Sequence, residues 1–390
     1  MLINQSVLLP KDLAKLNFDF AEDLVALDCF SIVKSTKDLD VLQNPRLKKW
    51  MLHENFVIFG TGGSSLGGQC IQALSQNKNI RFVSNLDAST LKKVFSEIKL
   101  ESTGFLCISK SGETLETICQ TLLALDFVKE KEDKFVIVSE NKQSSLVEIA
   151  NKFNFLCLDH PTTIGGRFSV FSIVGMLPAL LCGIDPLVIR SGGKKILENY
   201  IHEAEKGASF IIESFQNKIT QHVSFIYSDK LSVFGEWLAQ LYAESTGKSG
   251  NGITPITAIG SVDQHSQLQL YLDGKKDKCF TFFFEKQKTE LQISKNSLCP
   301  SSFSYLKNKN IADIFRAQFN ATVATILENN CYVRKIELSE ITPEILGALF
   351  MHFMLEVTFV CKLIGVNPFD QLAVEHGKIL TKNLLRENLC

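Results

Sequence analysis

The sequence predicts an α/β fold with two doubly wound parallel sheets, and three observations support this prediction. Short apolar runs of strand length recur along the chain, longer helical patterns separate them, and the same alternation resumes after the segment SGGKK that follows Arg190. Continuously apolar strands that alternate with helices are typical of parallel sheets covered on both faces. At 390 residues the chain is long enough for two domains. We therefore expect two α/β/α sandwiches of similar build.

The first half of the chain contains four apolar runs of strand length. They are FVIF, RFVS, FLCI and FVIV, at residues 56–59, 81–84, 105–108 and 135–138. Residues 115–130 show a helical pattern between the last two runs. We expect residues 1–45 to form an N-terminal helical segment and residues 46–190 to form the first subdomain.

The second half of the chain repeats this organisation. Its apolar runs are VSFIY, FTFFF and CYVRKIEL, at residues 223–227, 280–284 and 331–338. Helical patterns cover residues 234–242, begin near Ile311 and begin again at Pro343. The SGGKK segment marks the predicted boundary, so residues 191–390 form the predicted second subdomain, with helices at its C-terminal end. In such sheets ligands bind at the loops that follow the carboxyl ends of strands.

Composition limits the classes of partner and cofactor. Lys and Arg total 41, Asp and Glu total 42, and the formal net charge of -1 excludes a chain-wide basic field for nucleic acid. The 11 cysteines form no C-x-x-C pair, which argues against a disulfide framework and fits a reducing cytosol. Cys157 and His160 resemble half of a zinc site, but no second half follows, so no metal site is predicted.

Two apolar stretches raise the question of a membrane span. Residues 168–184 fall short of the ~20 apolar residues that a span needs and contain Pro178. Residues 347–365 carry charged residues, among them Glu356. The N-terminal residues lack a basic start followed by a sustained apolar run. We expect both stretches to be buried core helices and the protein to be soluble and cytoplasmic, with no membrane partner.

A glycine-rich loop, GTGGSSLG from Gly60 to Gly67, follows the first apolar run and includes Gly63 and Ser64. Such loops let backbone N–H groups and a helix N-terminus approach an anion. The loop lacks the third glycine of a dinucleotide fingerprint and the lysine of a nucleotide-triphosphate loop. A plain tight turn explains it equally well.

A second loop, SKSGET, follows the third apolar run and opens a helix. It offers the hydroxyls of Ser109, Ser111 and Thr114 and the charge of Lys110, all suited to phosphate oxygens. Ordinary helix capping would need only one such residue. Four polar groups in six residues therefore favour a cup for a phosphomonoester.

The remaining candidates are dispersed along the chain. Arg167 follows a glycine pair, where a structural salt bridge is the ordinary explanation. Gln240 and Glu244 are four residues apart, so they share a helix face, and a glutamate near the end of a helix is badly placed for the helix dipole. A surface carboxylate is the alternative for Glu244.

Two further candidates lie nearer the C-terminus. His265 stands in a DQHS segment, where a lone histidine is usually structural. Gln371 and Lys378 lie at a loop-to-helix junction, with the lysine predicted to be buried. Together the candidates supply a base, a proton shuttle, a cation and a phosphate cup, without a nucleotide motif or a metal cluster. This set suits metal-free proton abstraction beside the carbonyl of a sugar phosphate.

These motifs resemble the glucose-6-phosphate isomerase (phosphoglucose isomerase) family. The similar segments, in the family's order from Gly60 to Leu380, are GTGGSSLGG, ISKSGETLET, GGRFSVFS, WLAQLYAESTGKSGNGITPI, GSVDQHSQLQLYLDG and FDQLAVEHGKIL. The resemblance implies two sugar-isomerase (SIS-type) subdomains, no cofactor, and reversible isomerisation of glucose 6-phosphate and fructose 6-phosphate in glycolysis and gluconeogenesis.

The resemblance also implies a role for each candidate residue. Glu244 would move a proton between C2 and C1 through a cis-enediol, and Arg167 would stabilise the enediolate charge. His265 would assist ring opening, with Lys378 near the ring oxygen. The residues implied to hold the phosphate or line the site are Gly63, Ser64, Ser109, Lys110, Ser111, Thr114, Gln240 and Gln371.

Family members are usually homodimers in which the partner supplies the histidine, so the resemblance implies a composite site. The chain departs from many relatives at two places: Glu113 replaces a threonine in the phosphate loop, and LAVEHGK replaces a common proline-glycine pair. We expect the Glu113 carboxylate to point away from the phosphate, because two anions would repel each other.

Three other functions stay open at this point. A dual phosphoglucose/phosphomannose isomerase would share the fold and would also convert mannose 6-phosphate. A non-catalytic SIS sugar-phosphate sensor would need the phosphate cup but no base. A nucleotide-dependent dehydrogenase would use the glycine-rich loop and would bind NAD.

Overall fold

The secondary structure of the computed structural model is described for residues 2–13, 16–77, 79–128 and 133–387. The strands are β1 (Asn4–Leu9), β2 (Asn55–Phe59), β3 (Ile80–Val83), β4 (Thr103–Ile108), β5 (Phe135–Ser139), β6 (Leu156–Asp159), β7 (Gln221–Tyr227), β8 (Thr254–Ile259), β9 (Lys278–Glu285) and β10 (Tyr332–Leu338). The helices of the first half are α1 (Ala21–Val25), α2 (Asp28–Ser31), α3 (Pro45–Trp50), α4 (Leu66–Gln72), α5 (Ala88–Glu97), α6 (Leu115–Phe127), α7 (Ser145–Phe153), α8 (Ile173–Leu181) and α9 (Pro186–Asn199). Those of the second half are α10 (Ile201–Gln216), α11 (Ser232–Thr246), α12 (Leu268–Asp273), α13 (Ile311–Glu328), α14 (Pro343–Leu363) and α15 (Glu375–Arg386).

The first sheet has the strand order β3-β2-β4-β5-β6, and its pairs are all parallel. Its central strands are buried along almost their whole length, because helices cover both faces. All four predicted strands of this half are present. The predicted helix at 115–130 corresponds to α6, and residues 129–130 lie outside the described residues.

The second sheet has the order β1-β10-β9-β7-β8. Strands β7 to β10 pair in parallel, whereas β1 pairs antiparallel with β10. The prediction of an N-terminal helical segment at 1–45 is therefore wrong at its start, where β1 forms the edge of the second sheet. The sequence NQSVLL is half polar, as an edge strand tolerates, and so it lacks the continuous apolar run of the other strands.

The predicted boundary after Arg190 is wrong in its local structure. The SGGKK segment lies inside α9 rather than in a linker, and its Gly192 allows α9 and α14 to approach closely. A Cβ atom added to Gly192 would lie 1.8 Å from the carbonyl oxygen of Glu344, and one added to Gly347 would lie 1.9 Å from that of Ile189. Glycine is needed here for close packing of two helices, not for a flexible connection.

The central layer between the two sheets is helical, and its core includes buried residues of α4, α8, α9, α10, α11 and α14. Among the described residues, α14 is the one helix long and apolar enough to cross a membrane, and 94% of its most apolar window is buried inside the fold. The stretch at 168–184 forms a 3-10 turn, Gly166–Phe171, and the buried helix α8. Both apolar stretches are core elements, as predicted.

In each sheet, the helices that follow two adjacent strands lie on opposite faces. Helix α4 follows β2 into the central core, whereas α6 follows β4 onto the outer face. Likewise α11 follows β7 into the central core, and α13 follows β9 onto the outer face of the second sheet. Crevices at such points, outside the carboxyl ends of the strands, are where ligands bind in open α/β sheets.

Candidate functional site

The glycine-rich loop after β2 packs directly against the segment that carries Arg167. A Cβ atom added to Gly63 would lie 2.2 Å from the carbonyl carbon of Gly166 and 2.6 Å from the backbone nitrogen of Arg167. Gly62 has a φ of 57°, which favours glycine, and its added Cβ would lie 2.6 Å from Nε2 of Gln240. The loop therefore brings three distant parts of the chain together, and the half-buried Ser64 lies within it.

The SKSGET loop after β4 brings the hydroxyls of Ser109 and Thr114 together. Oγ of Ser109 lies 2.8 Å from Oγ1 of Thr114 and accepts a hydrogen bond from the Gly112 N–H at 3.2 Å. Oγ of Ser111 accepts from the Glu113 N–H at 3.1 Å. These groups stand at the N-terminus of α6, where the helix dipole favours an anion.

Glu113 points away from this cup, as expected. Its Oε1 atom accepts hydrogen bonds from the Ser145 backbone N–H at 2.6 Å and from the Ser145 hydroxyl at 3.0 Å. The carboxylate thereby satisfies a free N–H at the start of α7 and suits the positive end of that helix. Glu113 thus has a structural role outside the cup.

Lys110 links this loop to the segment that leads to Arg167. Its Nζ atom donates to the carbonyl oxygen of Thr162 at 2.9 Å and lies 3.6 Å from the carboxylate of Glu140. Burial acts to raise the pKa of Glu140, but Lys142 and Lys110 outweigh it and lower that pKa. The neighbouring His160 is buried, which lowers its pKa to about 4 and keeps it neutral.

The guanidinium of Arg167 is buried and binds three side chains. Its Nε donates to Oγ of Ser245 at 2.8 Å, and its Nη1 donates to Oε2 of Glu244 at 3.1 Å and to Oε1 of Gln371 at 2.8 Å. Burial lowers the pKa of Arg167, and the charge of Glu244 opposes this effect. Two backbone carbonyls, those of Pro368 and Asp370, accept from Nη2. Each of the five N–H groups of the guanidinium therefore has an acceptor, so the side chain is rigidly held.

Glu244 is held from both sides. While Arg167 binds one carboxylate oxygen, Nε2 of Gln240 donates to the other at 2.9 Å, which confirms that Gln240 and Glu244 share a face of α11. The Glu244 side chain remains 33% exposed, in contrast to the 2% exposure of Arg167. An ionised carboxylate that is oriented by two donors and still open to solvent can accept a proton from a bound substrate.

His265 does not join this group within the chain. It lies just after the 3-10 turn Val262–Gln264 that follows β8, and it is exposed. Within the described parts of the chain, no hydrogen bond or ion pair connects its ring to Glu244. Two exposed apolar side chains lie nearby in sequence, Val262 at 68% and Leu270 at 54% exposure.

Lys378 is also apart from the site. The prediction that it is buried is wrong: it is exposed on α15, and its Nζ pairs with Oε1 of Glu375 at 2.6 Å. Helix α15 has no buried residue, although Ile379 is 58% and Leu385 is 52% exposed. Its apolar residues suggested burial, but within this single chain nothing covers them among the described residues.

Known proteins are similar to this chain in sequence and in fold. Residues 51–389 match the family described as Phosphoglucose isomerase. A glucose-6-phosphate isomerase of Methanocaldococcus jannaschii is 33% identical over an alignment of 363 positions, and this alignment covers 89% of this chain and 89% of that protein. The chain belongs to the phosphoglucose isomerase family.

Solved structures agree with this membership. A hypothetical protein of Thermus thermophilus superposes with a TM-score of 0.84 at 28% identity, covering 94% of this chain and 93% of that one. A glucose-6-phosphate isomerase of Chlamydia trachomatis, 21% identical, has the same fold with a TM-score of 0.75 over 95% of this chain and 76% of that one. The predicted two-sheet α/β fold and the predicted family are confirmed, and phosphoglucose isomerases are aldose–ketose isomerases.

Some residues that shape this candidate site were not predicted from the sequence. Ser245 binds Nε of Arg167, and its position directly after Glu244 was the available signal. Lys248 pairs with Asp370 at 2.9 Å, which fixes the segment whose carbonyls bind the arginine. Backbone acceptors such as the Asp370 carbonyl carry no sequence signal. Among the described residues, no group of three or more His, Cys, Asp or Glu could hold a metal ion.

Proposed function

We propose that this chain is a glucose-6-phosphate isomerase that interconverts glucose 6-phosphate and fructose 6-phosphate through a cis-enediol. The observation that carries the proposal is the arrangement of Arg167, Glu244 and Gln240 beside the glycine-rich loop. It presents an oriented, partly exposed carboxylate next to a buried cation. The same reaction needs a base at one face of the sugar and a positive group near the carbonyl oxygen.

In the proposed mechanism Glu244 removes the proton from C2 of open-chain glucose 6-phosphate, and negative charge develops on O1 of the cis-enediolate, where Arg167 stabilises it. A proton then moves from the C2 hydroxyl to O1, and Glu244 returns its proton to C1 as the carbonyl forms at C2. Because Arg167 is buried and held by several acceptors, its charge is preorganised and needs little rearrangement during the reaction. Gln371 shares Nη1 of the arginine with Glu244 and so orients both groups.

The phosphate is proposed to bind at the two loops that follow β2 and β4. Gly63 and Ser64 contribute the first loop, and Ser109, Ser111 and Thr114 contribute hydroxyls from the second. Lys110 supplies charge beside them. An added Cβ atom on Gly60 would lie 3.3 Å from the Ile108 carbonyl oxygen, so the two loops begin side by side. This proximity supports a single cup.

The site is proposed to be completed in a homodimer. His265 would come from the partner subunit and open the sugar ring, and Lys378 would lie near the ring oxygen. Support comes from exposed apolar side chains beside both residues, on the His265 face and along α15. A further exposed apolar group lies between β9 and α13, where Leu298 and Tyr305 are largely uncovered. We place the dimer in the cytoplasm, serving glycolysis and gluconeogenesis.

The experiment that tests this function measures conversion of fructose 6-phosphate to glucose 6-phosphate by purified protein, with EDTA present and a coupled dehydrogenase as reporter. Glu244→Gln keeps the shape of the side chain but removes the base, so we expect turnover to disappear. Glu236→Gln is the matched control, because Glu236 is an exposed glutamate on the same helix, eight residues before Glu244. Turnover in the Glu244 variant equal to that of the control would refute the proposed base.

Mannose 6-phosphate, tested in parallel, separates the two isomerase classes. Conversion of mannose 6-phosphate at a rate comparable with fructose 6-phosphate would establish the dual phosphoglucose/phosphomannose isomerase instead. Binding of fructose 6-phosphate without any turnover would establish a sugar-phosphate sensor.

A further inference from the structure

A cavity of about 320 Å³ lies at the carboxyl edge of the second sheet, away from the site described above. Its walls come from the segments that follow β7, β9 and β10. None of its lining residues belongs to the proposed isomerase site. The volume is at the lower end of the ~300–1,000 Å³ range that small-molecule sites occupy.

This cavity occupies the same topological position as the proposed phosphate cup. In the first sheet the chain changes face between β2 and β4, and the two loops of the cup follow those strands. In the second sheet the change occurs between β7 and β9, and the cavity is built on the loops that follow them. Open α/β sheets bind ligands at this point.

The floor of the cavity is electrically balanced. The buried carboxylate of Glu285 accepts from Nζ of Lys230 at 2.8 Å, from Oγ of Ser228 at 2.8 Å and from the Ile341 backbone N–H at 3.1 Å. Its charge is therefore neutralised by partners within the fold. Glu285 presents no free negative charge to an incoming ligand.

The rim of the cavity carries a positive excess. Lys286 and Lys288 are exposed, and within the described residues neither side chain has a hydrogen bond or ion pair. The hydroxyls of Thr289 and Ser339 offer additional donors. One exposed carboxylate, that of Glu340, lines the same cavity, so two free ammonium groups face one free carboxylate. A small multivalent anion would satisfy both lysines at once.

We propose that this cavity binds a small phosphate-bearing anion as a second site on each chain. The site is remote from the proposed base: Lys230 lies two residues before the start of α11, and Glu244 lies near the other end of that helix, roughly 20 Å away. The proposal does not depend on isomerase activity, because none of its residues takes part in that site.

The test follows chemical acetylation of lysines by mass spectrometry on the full chain. Saturating inorganic phosphate should slow acetylation of Lys286 and Lys288 several-fold compared with sodium chloride of equal ionic strength. Lys307 and Lys309, exposed lysines outside the cavity, are the controls and should react equally in both salts. A second arm uses fructose 6-phosphate on the Glu244→Gln variant, with fructose as its neutral counterpart.

The two parts of the experiment distinguish inorganic phosphate from a phosphorylated metabolite as the ligand. Protection by inorganic phosphate and by fructose 6-phosphate supports a general phosphate site, and protection by the sugar phosphate alone supports a phosphorylated metabolite. The double variant K286Q/K288Q should lose binding at this site, measured as one fewer phosphate per chain in equilibrium dialysis, and should keep wild-type turnover. The proposal is overturned if neither inorganic phosphate nor fructose 6-phosphate slows acetylation of Lys286 and Lys288, or if the double variant binds as many moles of the protecting compound per chain as the wild-type protein.

Discussion

Nη1 of Arg167 lies 3.1 Å from Oε2 of Glu244, so a buried cation fixes the orientation of the proposed base. Lysine cannot reproduce this fork of donors. We expect Arg167→Lys to lower kcat by roughly 10²- to 10³-fold, the size of effect seen when one oxyanion-stabilising donor is lost, with a smaller change in KM. Arg46→Lys, on the surface, is the control. A kcat equal to that of the control would contradict the role of Arg167.

A composite site predicts that two inactive variants restore each other. Glu244→Gln lacks the base and His265→Ala lacks the ring-opening group. If the two groups of one site come from different subunits, a mixed dimer contains one intact site, and random mixing should recover about a quarter of wild-type activity. The measurement is turnover after denaturing and refolding the two variants together. No recovery would show that both groups act within one chain, and turnover by the His265→Ala variant alone would show that His265 is dispensable.

The contact between Gly63 and Gly166 predicts opposite behaviour for two neighbouring glycines. In Gly63→Ala the new methyl group would collide with the Gly166 carbonyl, so we expect a loss of about 1–3 kcal/mol in unfolding free energy and a displaced Arg167 with reduced kcat. Gly166→Ala meets nothing within 4 Å and should leave both quantities near wild type. Thermal unfolding and kinetics of the two variants compare them directly, and equal effects would argue against the close packing.

Glu113 should act on stability rather than on substrate binding. Removing its bonds to Ser145 in Glu113→Ala uncaps α7, which typically costs about 1 kcal/mol. Because the carboxylate points away from the phosphate cup, KM for fructose 6-phosphate should change little. Glu54→Ala, at an exposed site without such bonds, is the reference for urea unfolding. A large fall in KM would mean that Glu113 repels the substrate phosphate after all.

His160 makes stability depend on pH in a defined window. Its pKa is about 4 in the folded chain, below the ordinary value of 6.5, so between these values the unfolded chain binds the extra proton. The contribution of His160 to the free energy of unfolding is therefore fully present above about pH 6.5 and is lost as the pH falls toward 4. In His160→Gln the pH slope of unfolding free energy should be shallower by up to ~1.4 kcal/mol per pH unit. Parallel slopes in urea titrations at fixed protein concentration would show that His160 is not buried as a neutral group.

Strands with strong local patterns were predictable, and the others were not. FVIF and FVIV are continuously apolar because both faces of the first sheet are covered. In contrast, β8 reads TPITAI and includes Pro255, and β6 has only four residues, so neither gave a clear signal. β1 was missed because its identity as a strand depends on β10, which lies at the other end of the chain. Pairing at long range leaves little trace in a short polar segment.

Some parts of the candidate site were likewise predictable from the local sequence, and others were not. The two loops and the Gln240–Glu244 face follow from local spacing, and the structure brings them together with Arg167. The carbonyls that bind Arg167 belong to backbone, which any residue would supply, so no side-chain pattern could reveal them. The positions of His265 and Lys378 depend on what covers their exposed surroundings, and a single chain does not contain that information.

The pairing of β1 with β10 also bears on how the chain is made. Leu9 and its partner Val333 are 324 residues apart (333 − 9), so the first strand leaves the ribosome long before its partner does. At about 5–20 residues per second, the first strand waits roughly 15–65 s for its partner. During that interval its backbone groups have no sheet to join, and afterwards a large loop-closure entropy must be overcome. Completion of the second sheet is therefore expected to be a late step in folding, with β10 as the unprotected edge until the first strand docks.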